Sequence, residues 1–354
     1  MAEHAPNLDP EAVADFHDAL RKSKRIIAVI GAGLSASSGL ATFRGASGLW
    51  RNQDVTQVAS PAGFRHDPGR VWQFYTFRRQ EAFRASPNPA HYALAELARR
   101  VPGFVALTQN VDNLSLRAGH PPGQLKELHG NLYTISCSNA AGCGYVEHNN
   151  SQVVLTPALD PSKDETETLG KIDPENKPRA SPVLLAGIAR KHAQMLGERY
   201  EASTPTARDL SALKAPDQPS SAPMAQVRLF SGLKEEDLPK CPKCNSLLRP
   251  GVVWFGEALP VDVVEEAEAI FNDPEPIDLC LTIGTSSRVW PATGYSDMAR
   301  KKGARAAVVN LDAADAKNVR PGRDWVFVGD AAVVLPELLR PVIGDEREWD
   351  AKTA

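Results

Sequence analysis

Residues 25–33 read RIIAVIGAG, a continuous apolar run that ends in two glycines. A strand buried on both faces of a parallel sheet has this composition, because neither face needs polar side chains. Four other short apolar runs also end in polar or glycine residues, namely 104–108, 279–283, 306–309 and 325–328. The first run therefore predicts one strand of a parallel sheet, and the other four predict its neighbours.

Helical segments are predicted between these strands. Residues 11–23 and 89–100 have helical patterns, and Asp67-Pro68 predicts the start of a helix over 69–84. Asp is a good N-cap, and Pro fits the first turn. Alternating strands and helices predict an α/β fold with a Rossmann-like, doubly wound parallel sheet. In such sheets ligands bind at the carboxyl ends of the strands.

Composition excludes several classes of protein. The 354 residues are 42% hydrophobic, enough for one large and one smaller domain, and the formal net charge is -3. The sequence has no apolar run long enough to span a membrane, and its N-terminus resembles neither a secretory signal nor a transit peptide. Without a polybasic run, we expect no direct nucleic-acid or membrane partner. We expect a monomer. We expect its location to be the cytoplasm or nucleus rather than mitochondria.

Four of the five cysteines form two clusters, Cys137 with Cys143 and Cys241 with Cys244. This pattern predicts a metal site in a reducing compartment. Cys241-x-x-Cys244 has the spacing of a zinc knuckle, whereas the first pair is more widely spaced. Four cysteine ligands leave no open coordination position, so we expect a structural Zn²⁺. Cys280, inside a predicted strand, is interpreted as a small buried apolar residue.

Residues 31–36 match the G-x-G-x-x-A pattern of dinucleotide-binding turns. The glycines let the backbone approach a pyrophosphate, and a following helix N-terminus attracts its charge. A tight turn without a ligand would have the same sequence. A dehydrogenase also needs an acidic residue about 20 positions on, after a second strand. Residues 45–58 contain no such strand, which weakens a hydride-transfer interpretation.

A longer motif, GAGLSASSGLATFRG at 31–45, resembles the signature of the sirtuins, the NAD-dependent protein lysine deacylases. Further similar blocks follow in the family's order: QNVD at 109–112, LHG at 128–130, the paired cysteines, VVWFGE at 252–257, GTSS at 284–287, and Asn310. The resemblance covers roughly residues 20–340, apart from an insertion. It implies NAD as co-substrate, one structural Zn²⁺, and an acylated lysine of a protein or peptide as substrate. The sirtuins usually have two residues between the first pair of cysteines, whereas this chain has five.

The resemblance also implies site residues. Those implied to contact NAD are Gly31, Ala32, Gly33, Ser35, Thr42, Phe43, Arg44, Trp50, Gln109, Asn110, Asp112, Gly284, Thr285, Ser286, Asn310, Asp312 and Ala331. The implied catalytic residues are Asn110, Asp112 and the general base His129, whose ordinary pKa of ~6.5 suits this role. Those implied to bind substrate are Val253, Phe255, Glu257 and Leu259, with 252–257 as a strand beside the peptide and Phe255 and Leu259 lining the lysine channel.

The implied reaction joins the acyl group to the ribose of NAD. The acyl oxygen of the lysine attacks C1′ of the nicotinamide ribose, and nicotinamide leaves. His129 then removes a proton from a ribose hydroxyl, so that its oxygen can attack the acyl carbon. The products are free lysine, nicotinamide and O-acyl-ADP-ribose. Because an amide oxygen is a weak nucleophile, alignment of the reactants must supply much of the rate.

Tyr75 and Arg78 lie three residues apart, so they share a helix face. Spacing alone favours an amphipathic helix with a solvated arginine. However, the pair matches the Tyr-x-x-Arg of the class III sirtuins, which remove succinyl, malonyl and glutaryl groups, and Ala59 matches the small residue that widens their acyl pocket. A guanidinium can bind a carboxylate through two hydrogen bonds. The resemblance therefore implies a preference for negatively charged acyl groups.

Other functions remain open from the sequence. Plain deacetylation and ADP-ribosyl transfer to protein are the enzymatic alternatives. The non-enzymatic alternative is a zinc-module adaptor that binds NAD or ADP-ribose. The presence of Asn110, Asp112 and His129 argues against the adaptor, because a sensor needs no base.

We interpret residues 150–238 as an insertion, much of it disordered, because they are rich in Pro, Ser, Ala, Thr and Lys. A helical pattern is present near 182–200. The expected domains are an N-terminal extension at 1–24, a Rossmann-like NAD-binding domain at 25–130 and 250–345, a zinc-binding module at 131–249 that contains the insertion, and a tail at 346–354.

Overall fold

The computed structural model describes residues 8–42, 49–50, 53–160, 232–286, 292–316, 318–345 and 349. All of these residues belong to one compact unit. The predicted helical segment near 182–200 and the central part of the expected insertion lie outside the described residues.

The strands of the described residues form three sheets. They are β1 (Arg25–Ile30), β2 (Leu49–Trp50), β3 (Gln53–Asp54), β4 (Gly103–Thr108), β5 (Leu125–Glu127), β6 (Gly130–Cys137), β7 (Val146–Glu147), β8 (Leu248–Val252), β9 (Leu279–Ile283), β10 (Arg305–Asn310) and β11 (Trp325–Val328). Six of them form a parallel sheet in the order β11-β10-β9-β1-β4-β5. Strands β7, β6 and β8 form an antiparallel sheet, and β2 pairs with β3.

The α-helices are α1 (Pro10–Lys22), α2 (Val55–Val58), α3 (Pro61–His66), α4 (Pro68–Arg84), α5 (Pro89–Arg100), α6 (Leu114–Arg117), α7 (Val261–Asn272), α8 (Ala292–Lys301) and α9 (Ala331–Ile343). Short 3₁₀ helices span Ala32–Ser38, Pro122–Gln124, Pro157–Leu159, Glu235–Asp237 and Ala313–Asp315. As predicted, Asp67 caps α4 by accepting a hydrogen bond from the Arg70 N–H at 2.9 Å. None of the described helices combines the length and apolar composition needed to cross a membrane.

The central strand β1 shows why the fold has three layers. Ile26 and Ile30 face the apolar cluster formed with α1, α5 and α9. Ile27 and Val29 face a second cluster, formed with α7 and α8. Because successive side chains of a strand point to opposite faces, an uninterrupted apolar strand requires cover on both sides. The predicted doubly wound parallel sheet is confirmed.

The smaller module combines the antiparallel sheet with helix α4. Trp72 of α4 is fully buried and donates its indole N–H to the Leu248 carbonyl at 2.9 Å. The two described ends of the expected insertion, 150–160 and 232–238, also pack here. Leu159 and Leu238 are buried in the module's apolar cluster. The buried Arg79 guanidinium donates to backbone carbonyls that include that of Asn150, at 2.9 Å.

Candidate active site

Two glycine loops interlock at the carboxyl edge of the parallel sheet. The Gly31 N–H donates to the Ile283 carbonyl at 2.9 Å, and the Gly33 N–H donates to the Gly284 carbonyl at 2.8 Å. A Cβ on Gly33 would lie 2.6 Å from the Gly284 Cα, and one on Gly31 would lie 2.8 Å from the Thr285 Cα. Only glycine fits these contacts. The turn leads into the 3₁₀ helix Ala32–Ser38, which is the helix that the dinucleotide pattern predicted after the glycines.

Three polar side chains meet beside this glycine cradle. The buried Ser35 hydroxyl donates to Asp112 Oδ2 at 2.7 Å, and Asn110 Nδ2 donates to Ser35 Oγ at 3.2 Å. The other carboxylate oxygen of Asp112 accepts the Leu114 N–H at 2.9 Å. These bonds fix the Asp112 carboxylate and turn the Asn110 amide so that its Nδ2 faces Ser35. The loops after β1 and β4 therefore bring together the residues that the sequence placed in one site.

The loops after β4, β9 and β10 are joined in a similar way. Gln109 Nε2 donates to Thr285 Oγ1 at 3.2 Å, and Asn310 Nδ2 donates to the Thr285 carbonyl at 2.9 Å. Thr285 and Asn310 are both buried. The carboxyl edge is thus a continuous hydrogen-bonded surface, as expected for parallel strands whose ends lie side by side.

His129 lies between β5 and β6, at the junction of the two larger sheets. Its Nδ1 is 3.0 Å from the Gln109 carbonyl oxygen. Because a carbonyl oxygen only accepts, Nδ1 carries the proton in the neutral ring, and Nε2 keeps its lone pair. Burial lowers the pKa of His129 below its ordinary 6.5, while the bond to Gln109 opposes that shift. The ring is therefore neutral at pH 7 and presents Nε2 as a proton acceptor.

The remaining predicted NAD contacts differ in their surroundings, and some lie outside the described residues. Asp312 is exposed and caps the 3₁₀ helix Ala313–Asp315 by accepting the Ala314 N–H at 2.9 Å. Ala331 is buried at the start of α9. Thr42 and Ser286 are half-buried. Phe43, Arg44 and the side chain of Trp50 lie outside the described residues.

The predicted acyl pocket residues lie around helix α4. Ala59 and Tyr75 are buried in one apolar cluster with Trp254. Arg78 is half-buried rather than on the solvated helix face, where its neighbour Phe77 is 42% exposed. Burial lowers the pKa of the Arg78 guanidinium, and the nearby Asp112 and Tyr75 oppose that shift. Burial also raises the pKa of the Tyr75 phenol, so it remains protonated and can donate a hydrogen bond.

The sequence predicted a strand over 252–257, but residues 253–257 do not form one. Strand β8 ends at Val252, and a turn follows in which the Glu257 N–H donates to the Trp254 carbonyl at 3.0 Å. Gly256 has a φ of +89°, which a strand does not allow. Val253 and Phe255 are still tied to the site: their N–H groups donate to the His129 carbonyl at 2.8 Å and to the Ala59 carbonyl at 2.9 Å.

The side chains of this segment also differ from expectation. Phe255 is 43% exposed beside the site, whereas Leu259 packs at the edge of the cluster that contains Phe271. The Glu257 carboxylate is held by Arg249, with oxygen to nitrogen distances of 2.7 and 2.8 Å. Glu257 is therefore engaged within its own loop rather than directed at a substrate.

Cys137, Cys143, Cys241 and Cys244 converge at the end of the antiparallel sheet, and all four sulfur atoms lie within 4.8 Å of one another. The Cys137 to Cys244 distance is 3.5 Å and the Cys143 to Cys241 distance is 3.6 Å. Tetrahedral zinc with bonds of about 2.3 Å to sulfur places its ligands about 3.8 Å apart. The four thiols therefore form a site that can hold one Zn²⁺. The wider spacing of the first pair does not prevent this, and Cys280 lies apart, fully buried in β9.

Sequence reasoning missed several residues that complete the site. The Asn88 N–H donates to His91 Nδ1 at 3.2 Å, which leaves the Nε2 proton of His91 facing Ser35 Oγ at 3.4 Å. Asn88 also donates to the Leu34 carbonyl at 2.8 Å. The Asn88-Pro89 helix start was the available signal, but it marks a cap and not a site. Arg249 carried no signal, since a surface arginine in a strand is common.

A profile of the Sir2 family matches residues 31–169 and 213–291. The chain belongs to the Sir2 family. It is 41% identical over 336 residues to an NAD-dependent protein deacylase of Candida albicans, covering 94% of this chain and 98% of that protein. It is 33% identical to the NAD-dependent protein deacylase sirtuin-5A, mitochondrial, of Xenopus laevis, and this match covers 92% of this chain and 85% of that protein. A crystal structure of a Sir2 homologue in complex with NAD aligns over 96% of each chain, with a TM-score of 0.63 and 29% identity.

Proposed function

We propose that the protein is an NAD-dependent protein lysine deacylase that prefers short acidic acyl groups. The observation that carries the proposal is the position of His129. Its Nδ1–H donates to the Gln109 carbonyl at 3.0 Å, one residue before the Asn110 to Asp112 loop, so the lone pair is on Nε2. A neutral base next to a dinucleotide cradle suits proton removal from a ribose hydroxyl. The relatives from Candida albicans and Xenopus laevis are named NAD-dependent protein deacylases, which supports the deacylase part of the proposal.

The glycine cradle fits NAD. Gly31 and Gly33 let the loop after β1 pack against Gly284 and Thr285 at the carboxyl edge of the sheet, where such folds bind ligands. Asn110 and Asp112 provide polar groups at the same edge. When bound, NAD supplies the ribose carbon that accepts the acyl oxygen. Asn110 and Asp112 orient the ribose and the nicotinamide amide, and His129 Nε2 accepts the hydroxyl proton.

The acidic acyl preference rests on Arg78 and Tyr75. Tyr75 is buried and Arg78 is half-buried on helix α4. The Asp112 carboxylate opposes the lowering of the Arg78 pKa by burial. A carboxylate at the end of a succinyl, malonyl or glutaryl group can accept hydrogen bonds from both side chains. Ala59 is buried in the same apolar cluster as Tyr75, and its short side chain favours a longer acyl group at this position.

A panel of acyl-lysine peptides tests the proposal. Each peptide, carrying a succinyl, malonyl, glutaryl or acetyl group, is incubated with the protein and NAD, and nicotinamide, O-acyl-ADP-ribose and free lysine are measured by mass spectrometry. We expect equal amounts of the three products, none without NAD, and faster turnover of the acidic acyl groups. Binding of NAD or ADP-ribose without nicotinamide release from any peptide would support the adaptor instead. Turnover of the acetyl peptide alone would support a plain deacetylase.

A further inference from the structure

The loop that follows β8 is closed by one arginine. Arg249 donates from Nη1 and Nη2 to the two carboxylate oxygens of Glu257 at 2.7 and 2.8 Å, and from Nη2 to the Val252 carbonyl at 3.1 Å. Its guanidinium carbon lies 3.6 Å from the centre of the Trp254 ring. Glu257 Oε2 also accepts the Trp254 N–H at 2.8 Å. Arg249 therefore contacts Trp254 directly by stacking and indirectly through Glu257.

Trp254 connects this clamp to the acyl pocket. Its side chain is buried, and its ring centre lies 5.1 Å from that of Phe64. The predicted acyl-pocket residues Ala59 and Tyr75 are buried with it in one apolar cluster. The ring thus has Arg249 over one face and belongs to the cluster that contains Tyr75. A shift of the indole would change the wall of the pocket and the position of Phe255, the next residue.

We propose that Arg249 is a positioning residue for the acyl-lysine site, which holds Trp254 against the pocket and keeps the Val253 to Glu257 segment in its binding conformation. The inference rests on the proposed function, since it assigns part of the peptide site. Arg249 lies on β8, and none of its described contacts reaches the glycine cradle. Its loss should therefore weaken peptide binding without weakening NAD binding.

The chain contains a matched control in the six-stranded parallel sheet, whereas Arg249 lies in the antiparallel sheet. Arg305 starts β10, its guanidinium carbon lies 3.7 Å from the centre of the Trp325 ring, and its Nη2 is 2.5 Å from Asp15 Oδ2. Trp325 donates its indole N–H to the same carboxylate at 3.0 Å. This group has the chemistry of the Arg249 clamp but no contact with the peptide site. Arg305→Met therefore measures what such a clamp contributes to stability alone.

The test measures KM for the acyl peptide and KM for NAD separately, with whichever acyl peptide the unaltered protein turns over fastest. Arg249→Met should raise KM for the peptide about tenfold, the scale of one stacked cation and one charged hydrogen bond. KM for NAD should stay within about twofold, because the cradle is untouched. Arg249→Lys keeps the charge but not the planar stacking, so its KM for the peptide should lie between those of the unaltered protein and Arg249→Met. Arg305→Met should lower the melting temperature and change neither KM.

Two results would overturn the positioning role. One is an unchanged KM for the peptide in a folded Arg249→Met variant. The other is a parallel rise in both KM values, which would show general disruption of the fold. If Arg249→Met does not fold, the same two criteria apply to Arg249→Lys. Absence of nicotinamide release by the unaltered protein would count against the proposed function itself, and so is distinguishable from either result.

Discussion

At the scale of single residues, the site is organised by bonds that fix protons and lone pairs. The Gln109 carbonyl accepts a hydrogen bond from Nδ1 of His129. The Asp112 carboxylate accepts one from the Ser35 hydroxyl, with 2.7 Å between the two oxygen atoms. The first bond leaves the lone pair of His129 on Nε2, and the second fixes the Asp112 carboxylate. Preorganised polar groups of this kind need no rearrangement when charge develops, which is why they accelerate reactions.

His129→Asn tests the assigned base. The Asn amide can still donate to the Gln109 carbonyl, so the fold should keep its melting temperature. Turnover should fall at least ~100-fold, the scale of a lost general base. His120→Asn is the control, because His120 is also buried but contacts the Gln124 carbonyl, away from the site. Near-normal turnover of His129→Asn would exclude His129 as the base.

The pH dependence follows from the burial of the same ring. Since burial lowers the pKa of His129, its neutral form persists below the ordinary value of 6.5. The kcat/KM for the acyl peptide should stay level as pH falls through 6.5 and decline only as pH falls through the lowered pKa. A profile measured with saturating NAD checks this. A decline centred above pH 6.5 would contradict a buried, neutral base.

At the scale of secondary structure, the strongest sequence signals gave correct elements. The runs at 25–30, 279–283 and 325–328 are strands with the predicted bounds. In β1 and β9 the reason is that a strand covered on both faces needs apolar side chains throughout. Strand β11 is apolar although it lies at the sheet edge, with Val326 and Val328 exposed.

Elements whose local sequence conflicts with their packing were missed. Helix α9 contains Pro336 and Pro341, which normally end helices, yet its buried face, including Leu335 and Leu339, packs in the main core. The predicted strand at 252–257 failed for the opposite reason. Its apolar residues are typical of a strand, but Gly256 adopts a positive φ and turns the chain. The Glu257 carboxylate then accepts hydrogen bonds from Arg249, which stabilises the turn. Both outcomes depend on contacts distant in sequence.

The glycine cradle gives a prediction at this scale. Gly33→Ala would place a methyl group 2.6 Å from the Gly284 Cα, so the two loops must separate. We expect about 1–3 kcal/mol of lost stability, as for an overpacked core, together with weaker NAD binding. Gly123→Ala is the control, because the methyl group that it adds would have no heavy atom within 4 Å beyond its chain neighbours. Calorimetry of unfolding and of NAD binding measures both effects, and tolerance of Gly33→Ala would contradict the interlocked arrangement.

At the scale of the whole molecule, His129 joins the parallel sheet to the smaller module. The Leu128 N–H donates to the Thr108 carbonyl of β4 at 2.9 Å, and Gly130 begins β6, which ends at Cys137. The cysteine cluster therefore anchors the far end of the strand that starts beside the base. The sequence predicted both parts and the four cysteines, but not that one strand connects them, since strand pairing is not local.

Metal content tests this connection. Purified protein should contain about one zinc per chain, and Cys244→Ser should lose it, because a closed four-thiolate site contributes on the order of 10 kcal/mol to local folding. Activity should fall when the metal is lost, since β6 links the cysteine cluster to His129. Cys280→Ala, in the parallel sheet, should retain zinc. Metal-free protein that is folded and fully active would contradict a structural role.

The role of Arg78 is measured by the ratio of kcat/KM on succinyl-lysine to that on acetyl-lysine, determined for the unaltered protein and for Arg78→Met. If Arg78 binds a desolvated carboxylate, its loss leaves that charge unpaired and costs roughly 2–5 kcal/mol, or about 30-fold to several thousand-fold on the succinyl peptide alone. The acetyl rate should change little, and Arg84→Met, at a 75% exposed position of the same helix, should change neither. An unaltered ratio in Arg78→Met would contradict the account.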